Sequence, residues 1–386
     1  MENNTNKTSS GGVILPILFG FFVMGFVDVV GIATNYVKQD FALSDTLANL
    51  IPMMVFLWFA VFSIPTGLLM GRIGRRNTVA WALVVTIGTM LLPLCCYDFG
   101  VVLVAFALLG IGNTMLQVSL NPMVAAVVAP KRITSVLTLG QFIKAISSLL
   151  GPVIAGAVAA LWGDWKWIFA VYAVTTLLSL LWLLLVVPAD SKPDTQRTGF
   201  RTVCSLFRDR YILMLFLGIL FIVGVDVGLN TTIPKLLMEK LDMPLDDAGL
   251  GTSLYFLART VGSFIGAFVL ARVASDRFLL YSMIVSVVAF IALLTLDSLW
   301  PMAAMIVIVG LACANVFSIL FAFALQHMPE RDNEISALMI MGVSGGALIT
   351  PAMGVLADAF GQVAALSLLL VCMAYLGVIA LKVKKH

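Results

Sequence analysis

Twelve long apolar stretches, separated by short charged or glycine- and proline-containing turns, make up most of the chain. A helix needs about 20 apolar residues to cross the hydrocarbon core of a bilayer, and each stretch is close to that length or above it. Of 386 residues, 61% are apolar and 11% charged, whereas soluble domains carry about 25% charged residues. We therefore expect an all-α membrane protein of twelve transmembrane spans, at 13–36, 47–70, 78–97, 101–129, 134–161, 167–188, 211–234, 247–270, 278–296, 300–327, 335–357 and 362–382.

One long charged linker divides these spans into six and six. It contains Asp190–Arg210, and we place it at 189–210, between an N-terminal six-helix bundle at 13–188 and a C-terminal one at 211–386. The polar segment 1–12 carries one basic residue and is followed by no small-residue cleavage site. We interpret it as a retained cytoplasmic tail and not as a signal peptide.

The Lys and Arg residues in the loops predict the orientation of the chain. With the N-terminus inside, seventeen of the 23 basic residues lie on the inner side. The outer side holds only Lys38, Lys166, Lys235 and Lys240. Because cytoplasmic loops carry an excess of Lys and Arg, we expect both termini in the cytoplasm and a multi-pass location in a bacterial-type inner (plasma) membrane.

The two halves of the chain resemble each other. Matching polar or helix-breaking residues recur at offsets near 200 in three pairs of spans: Asp28 with Asp226, Asn113 with Asn315, and Gly151-Pro152 with Thr350-Pro351. Two pseudo-symmetric bundles related by an axis along the membrane normal predict a central cavity that opens to each side in turn.

The loop between spans 2 and 3 resembles a known signature. Its sequence GLLMGRIGRR (Gly67–Arg76) is similar to the GxxxDRxGRR loop of the major facilitator superfamily, although Gly71 stands where that family usually has Asp. The resemblance implies the twelve-helix major facilitator fold. It also implies structural or gating roles for Gly67, Arg72, Gly74 and Arg75.

Within that superfamily the chain resembles the fucose:proton symporter family. The similar stretches are KQDFALSD (Lys38–Asp45), MLQVSLNP (Met115–Pro122) and SGGALITPAMGVLAD (Ser344–Asp358). The resemblance implies proton-driven uptake of a monosaccharide. The family often has LETAANP in span 4, and Gln117 occupies the position of its glutamate. Since an amide cannot titrate, another carboxylate must handle the proton if protons drive this carrier.

Four ionisable residues lie well inside predicted spans: Asp28, Lys144, Asp226 and Arg259. Each costs about 2.5–3.5 kcal/mol at a helix centre, so such residues normally have partners in the protein interior. A carboxylate held between a nearby positive charge and desolvation can exchange a proton when its partner moves. We predict that Asp28 is the coupling acid and that it can pair with Lys144. We predict Asp226 as the matching acid of the second half and a structural role for Arg259. Fixed ion pairs that brace the bundle are the alternative.

Amide side chains mark a second set of candidates. Asn113, Gln117 and Asn121 are four residues apart in span 4, and Gln141, Lys144 and Ser148 share a face of span 5. Amides offer donors and acceptors that suit sugar hydroxyls. The predicted substrate-binding residues are Asn35, Gln117, Asn121, Gln141, Lys144, Asn230 and Asn315. Interhelical hydrogen bonding is the alternative for this set, and a kink before Pro122 is an equally good explanation of Asn121.

Span 11 contains a run of small residues followed by a proline. Gly345, Gly346 and Pro351 fit a hinged span that lets neighbouring helices approach closely. We therefore predict a gating role for these three residues.

The sequence favours a carrier over an enzyme. No HExxH or GxxxxGKS/T motif is present, and we expect no cofactor, metal or nucleic-acid partner. The expected partners are a sugar or sugar derivative, a coupling cation (H+ or Na+) and the bilayer, with the chain as a monomer. An anionic sugar acid as substrate, sodium coupling, and the less favoured drug exporter remain open alternatives.

Overall fold

The computed structural model describes residues 10–43, 47, 50–188, 200–243 and 245–383. These residues fold into helices whose bounds follow the predicted spans. Span 1 comprises Ser10–Met24, a 3-10 segment Gly25–Val29 and Val30–Asp40; spans 2 to 6 are Leu50–Ile73, Arg75–Cys95, Phe99–Val127, Ile133–Trp162 and Trp167–Val186. Spans 7 to 9 are Arg210–Leu241, Leu245–Val269 and Ser275–Thr295; span 10 is Leu299–Cys313 with Val316–His327; span 11 is Asp332–Met341, a 3-10 segment Gly342–Ser344 and Gly345–Phe360; span 12 is Gln362–Val383.

The twelve-span, all-α architecture predicted from hydropathy is confirmed. Within the described residues, eleven spans are long and apolar enough to cross a membrane. These eleven do not include span 11, which consists of helices of 10 and 16 residues on either side of a 3-10 segment. The interruption lies beside Gly345 and Gly346, where the glycine run predicts a hinge.

Parts of two predicted segments lie outside the described residues. Of the predicted tail 1–12, residues 1–9 are not described, and span 1 begins at Ser10 instead of residue 13. Of the predicted linker 189–210, residues 189–199 are not described. The rest of that linker forms the short helix Phe200–Ser205 and a 3-10 turn at Leu206–Arg208.

The described residues form two compact units that follow the sequence halves except at the starts of spans 5 and 11. Unit 1 contains the described parts of Met1–Ile133, Ile143–Val203 and Glu330–Ile340. Unit 2 contains the described parts of Thr134–Phe142, Cys204–Pro329 and Met341–His386. Two short segments are thus exchanged between the sequence halves. The start of span 11 packs with the first half, and the start of span 5 packs with the second.

The same pattern of helix neighbours recurs in both units. In unit 1, span 4 packs against spans 1, 2 and 3, and span 6 packs against spans 1 and 3. In unit 2, span 10 packs against spans 7, 8 and 9, and span 12 packs against spans 7 and 9. Glycines allow matching close approaches: a Cβ on Gly110 would lie 2.5 Å from the Val55 carbonyl oxygen, and one on Gly310 would lie 2.8 Å from that of Tyr255. The internal repeat read from the sequence is thus also a repeat of packing.

Candidate functional site

Asp28 lies in a segment where span 1 departs from α-helical geometry. The 3-10 segment Gly25–Val29 contains this residue, and 3-10 stretches in the middle of a helix often mark hinges or functional strain. The Asn113 amide of span 4 donates to the Met24 carbonyl oxygen at 2.6 Å, immediately before the segment. The interruption is therefore stabilised by a specific side chain from a neighbouring span.

The Asp28 carboxylate is exposed and accepts a hydrogen bond from the Ser148 hydroxyl of span 5. Spans 1 and 5 touch one turn away, since a Cβ on Gly25 would lie 2.6 Å from the Lys144 carbonyl oxygen. Lys144 itself is half-buried. Among the described residues no ion pair joins Lys144 to Asp28. The partner of the Asp28 carboxylate in this structure is therefore Ser148, one helical turn from Lys144, and not Lys144 itself.

The three amides of span 4 form one chain of hydrogen bonds. The Gln117 Nε2 donates to Asn113 Oδ1 at 2.8 Å, and the Asn121 Nδ2 donates to the Gln117 carbonyl oxygen at 2.7 Å. All three side chains are at most 5% exposed. They share one helix face, as their spacing predicts. These hydrogen bonds fit the alternative of interhelical and local bonding, and a role of the three amides in substrate binding stays a prediction.

The proline of span 4 creates a second interruption, which span 11 compensates. Pro122 has no N–H, so it cannot donate to the carbonyl of Val118 four residues earlier. The Ser336 hydroxyl, in the part of span 11 that belongs to unit 1, donates to that carbonyl at 2.6 Å. The sequence motif around Asn121 and Pro122 therefore serves helix packing within unit 1.

Arg75 connects the signature loop to the same segment of span 11. Its Nη2 lies 2.6 Å from both carboxylate oxygens of Asp332, and its Nε donates to Asn333 Oδ1 at 2.9 Å. A Cβ on Gly67 would lie 2.5 Å from the Ala337 Cβ. Gly74 has φ +85°, a conformation that side chains disfavour, at the turn before span 3. Gly67 and Arg75 thus contact the start of span 11, whereas Arg72 is exposed. The structural or gating roles of these residues and of Gly74 remain predictions.

Asp226, the repeat counterpart of Asp28, lies in a different environment. It is 9% exposed and sits in the continuous helix of span 7. From span 8, the Tyr255 hydroxyl donates to its Oδ1 at 2.7 Å and Arg259 Nη2 lies 3.0 Å from its Oδ2. Tyr255 and Arg259 are one helical turn apart, so both reach Asp226 from one face.

The two equivalent acids are therefore chemically distinct. Asp28 is exposed, lies in a 3-10 segment and has a neutral serine beside it. Asp226 is buried, lies in regular α-helix and forms an ion pair with Arg259. A carboxylate at membrane depth is stable as an anion when a cation compensates it. The structure thus places Asp226 in a buried ion pair and leaves Asp28 exposed beside a neutral hydroxyl.

The remaining predicted residues fall into three groups. Gln141 is half-buried and Asn230 is exposed, whereas Asn315 is 1% exposed and donates to the Gly262 carbonyl oxygen at 3.1 Å. Asn315 thus connects spans 10 and 8. The side chains of Asn35 and Pro351 lie outside the described residues, although both positions are helical.

Gly345 and Gly346 permit close packing of span 11 on span 7. A Cβ on Gly345 would overlap the Leu220 carbonyl, and one on Gly346 would lie 2.7 Å from Val227 Cγ2. Both positions therefore need glycine where the helix resumes after its 3-10 segment. A gating role for this segment remains a prediction.

Several functional contacts could not be assigned from the sequence. The sequence places Ser148 on a polar face of span 5, but it does not predict the bond of Ser148 to Asp28 or that of Tyr255 to Asp226. The i, i+4 spacing of Tyr255 and Arg259 opposite an intramembrane acid is a signal that points to their shared role. Among the described residues no group of three or more His, Cys, Asp or Glu side chains is arranged to hold a metal ion.

The fold and the site together define a helical membrane carrier built from two repeats. The profile of the Major Facilitator Superfamily matches residues 17–244 and 215–386. The chain belongs to this superfamily, whose members are transporters and not enzymes. The resemblance read from the signature loop is thereby confirmed.

Relatives extend over nearly the full chain. A glucose/galactose transporter of Brucella abortus biovar 1 (strain 9-941) is 25% identical, with 96% of this chain and 94% of the relative covered. A putative glucose/galactose transporter of Helicobacter pylori (strain J99) is 24% identical, with 91% and 90% covered. The structure of the E. coli fucose:proton symporter superposes with a TM-score of 0.84 at 16% identity, covering 96% of this chain and 98% of the other.

Proposed function

We propose that the protein is a secondary active transporter that takes up a monosaccharide together with a proton by alternating access. Relatives at 24–25% identity are named glucose/galactose transporters, and the similar solved fold is that of a fucose:proton symporter. A hexose is therefore the first substrate to test. We also propose an inner-membrane location, cytoplasmic termini and a monomer, as the loop charges and the family predict.

The observation that carries the coupling proposal is the contrast between Asp28 and Asp226. An anion exposed to hydrocarbon at mid-depth would cost several kcal/mol, so an exposed Asp28 requires either water beside it or a bound proton. Both conditions suit a group that exchanges protons during transport. The 3-10 segment around Asp28 gives the backbone a place where span 1 can change conformation as the carboxylate changes charge.

The roles of the polar residues divide by exposure. We propose that Gln141, Lys144 and Asn230, which are half-buried or exposed, contribute substrate contacts, with Asn35 kept as a prediction. Gln117, Asn121 and Asn315 are bonded within the helix packing, and we propose that they shape the helices around the solute. Asp226 and Arg259 then hold spans 7 and 8 together.

Uptake in proteoliposomes tests this function. Purified protein is reconstituted, and radiolabelled glucose, galactose and fucose are offered with an inward proton gradient, an inward sodium gradient or neither. The proposal expects accumulation above the external concentration only with the proton gradient, abolished by a protonophore. Accumulation driven by sodium alone, or of none of the three sugars, contradicts it.

A sugar acid is the second candidate, supported by Lys144. This half-buried lysine forms no ion pair among the described residues, and an ammonium group at membrane depth suits a carboxylate substrate. Thermal stabilisation by glucuronate but not by glucose, lost in Lys144→Gln, would favour this candidate. Stabilisation by neutral hexoses that survives the substitution would exclude it.

A further inference from the structure

A groove of about 530 Å³ lies between spans 7 and 12 of unit 2, away from Asp226. Its lining is mainly aliphatic, and Leu217 and Ile379 are typical members. Arg210 and Lys382 contribute two cations, and Tyr211 and Tyr375 contribute the aromatic part. The groove is thus apolar along most of its wall, with charge from two residues only.

The cations lie at one end of the groove because the two spans run in opposite directions. Span 7 begins at Arg210, and Lys382 is in the last turn of span 12. Leu217 is seven residues, or roughly 10 Å, along span 7 from Arg210. Just beyond it the helices meet, since a Cβ on Gly218 would lie 2.7 Å from Ile379 Cδ1. The groove therefore has a basic end and a more apolar end.

Arg210 and Lys382 do not pair with acidic side chains of the described residues. Arg210 and Lys382 are exposed, and neither forms an ion pair with a described residue. The adjacent Asp209 accepts from the Tyr211 and Ile212 amides at 2.8 and 3.0 Å and pairs with His327 at 3.2 Å. Its carboxylate caps span 7 and leaves the basic end of the groove with a net positive charge.

We propose that this groove is a binding site for one anionic phospholipid. The phosphate would lie against Arg210 and Lys382, and an acyl chain would follow the aliphatic wall towards Leu217. Basic pockets between transmembrane helices on the side rich in Lys and Arg suit anionic headgroups. Tyr211, one residue into span 7, is at the interfacial depth that aromatic side chains favour. A zwitterionic lipid fits the aliphatic wall but lacks the net charge that complements two cations.

The test measures lipid binding to the full-length protein in detergent. Phosphatidylglycerol and phosphatidylcholine with identical acyl chains are titrated, and bound lipid is counted by native mass spectrometry and followed by thermal stabilisation. The variants are Arg210→Gln/Lys382→Gln, the groove-filling Val378→Trp, and the control Arg272→Gln/Arg277→Gln, which removes two exposed cations elsewhere in unit 2.

We expect phosphatidylglycerol to bind the wild type and the control double variant equally. Loss of both groove cations should weaken that binding about 30-fold, and Val378→Trp should weaken it while leaving the cations in place. Equal binding of both lipids, equal loss in the control variant, or stabilisation by inorganic phosphate alone would each overturn the proposal. So would unchanged binding in both groove variants when those variants remain folded.

Discussion

The ion pair between Asp226 and Arg259 provides a quantitative test of the bracing role. The side chains are 12% and 24% exposed and 3.0 Å apart, so the pair is largely desolvated. Removing one partner of a buried pair costs about 3–5 kcal/mol because the other charge is left uncompensated. With this residual exposure we expect about 3 kcal/mol for Asp226→Asn and for Arg259→Gln.

The double variant distinguishes coupling from two independent losses. Asp226→Asn/Arg259→Gln leaves no isolated charge, so it should cost less than the sum of the single variants by about 2 kcal/mol or more. The assay is reversible unfolding in mixed SDS micelles, followed by circular dichroism. The control is the Asp164–Lys166 pair, at 2.9 Å but 39% and 28% exposed, where neutralising either partner should change stability by about 0–1 kcal/mol. Single variants that cost less than about 1 kcal/mol, or additive effects, would refute the reasoning.

Three further predictions use the same unfolding assay. Tyr255→Phe should lower the free energy of unfolding by about 1.5–3 kcal/mol, because the hydroxyl donates to the charged Asp226 carboxylate. An unchanged stability would show that this hydrogen bond does not stabilise the protein. Gly345→Ala should destabilise the protein by about 1–3 kcal/mol, since the new Cβ would overlap the Leu220 carbonyl. The control Gly377→Ala should be neutral or slightly stabilising, because no atom lies within 4 Å of its Cβ. Similar effects at both positions would contradict this prediction. Ser336→Ala should cost about 1–3 kcal/mol by leaving the Val118 carbonyl unpaired next to Pro122, while Ser367→Ala, whose hydroxyl bonds within its own exposed helix turn, should cost little.

The sequence predicts the architecture because the bilayer fixes how long and how apolar each spanning helix must be. Span length, loop charge and a near-constant offset between halves are all one-dimensional quantities. They locate the helices, the repeat and the intramembrane acids Asp28 and Asp226. The glycine run of span 11 likewise predicts an interruption, and the structure places a 3-10 segment at Gly342–Ser344.

The partners of these residues could not be predicted, because they depend on helix rotation and on contacts distant in sequence. Ser148 is 120 residues from Asp28, and Asp332 is 257 from Arg75. The 3-10 segment at Gly25–Val29 could not be predicted either, because it contains no proline to mark a break in the helix. The sequence does not distinguish an amide that faces a cavity from one that bonds to neighbouring helices. The amides of span 4 have the composition of a sugar site, yet in the structure they bond to other groups of the protein.

Asp28→Asn provides the most direct measurement of the central claim. Proteoliposomes with this variant are assayed for sugar accumulation under a proton gradient and for equilibrium exchange without one, beside Ser148→Ala as a variant that keeps the acid. We expect Asp28→Asn to lose accumulation above the external concentration but to retain part of the exchange, and Ser148→Ala to retain both. Full accumulation by Asp28→Asn would contradict the assignment of Asp28 as the coupling acid.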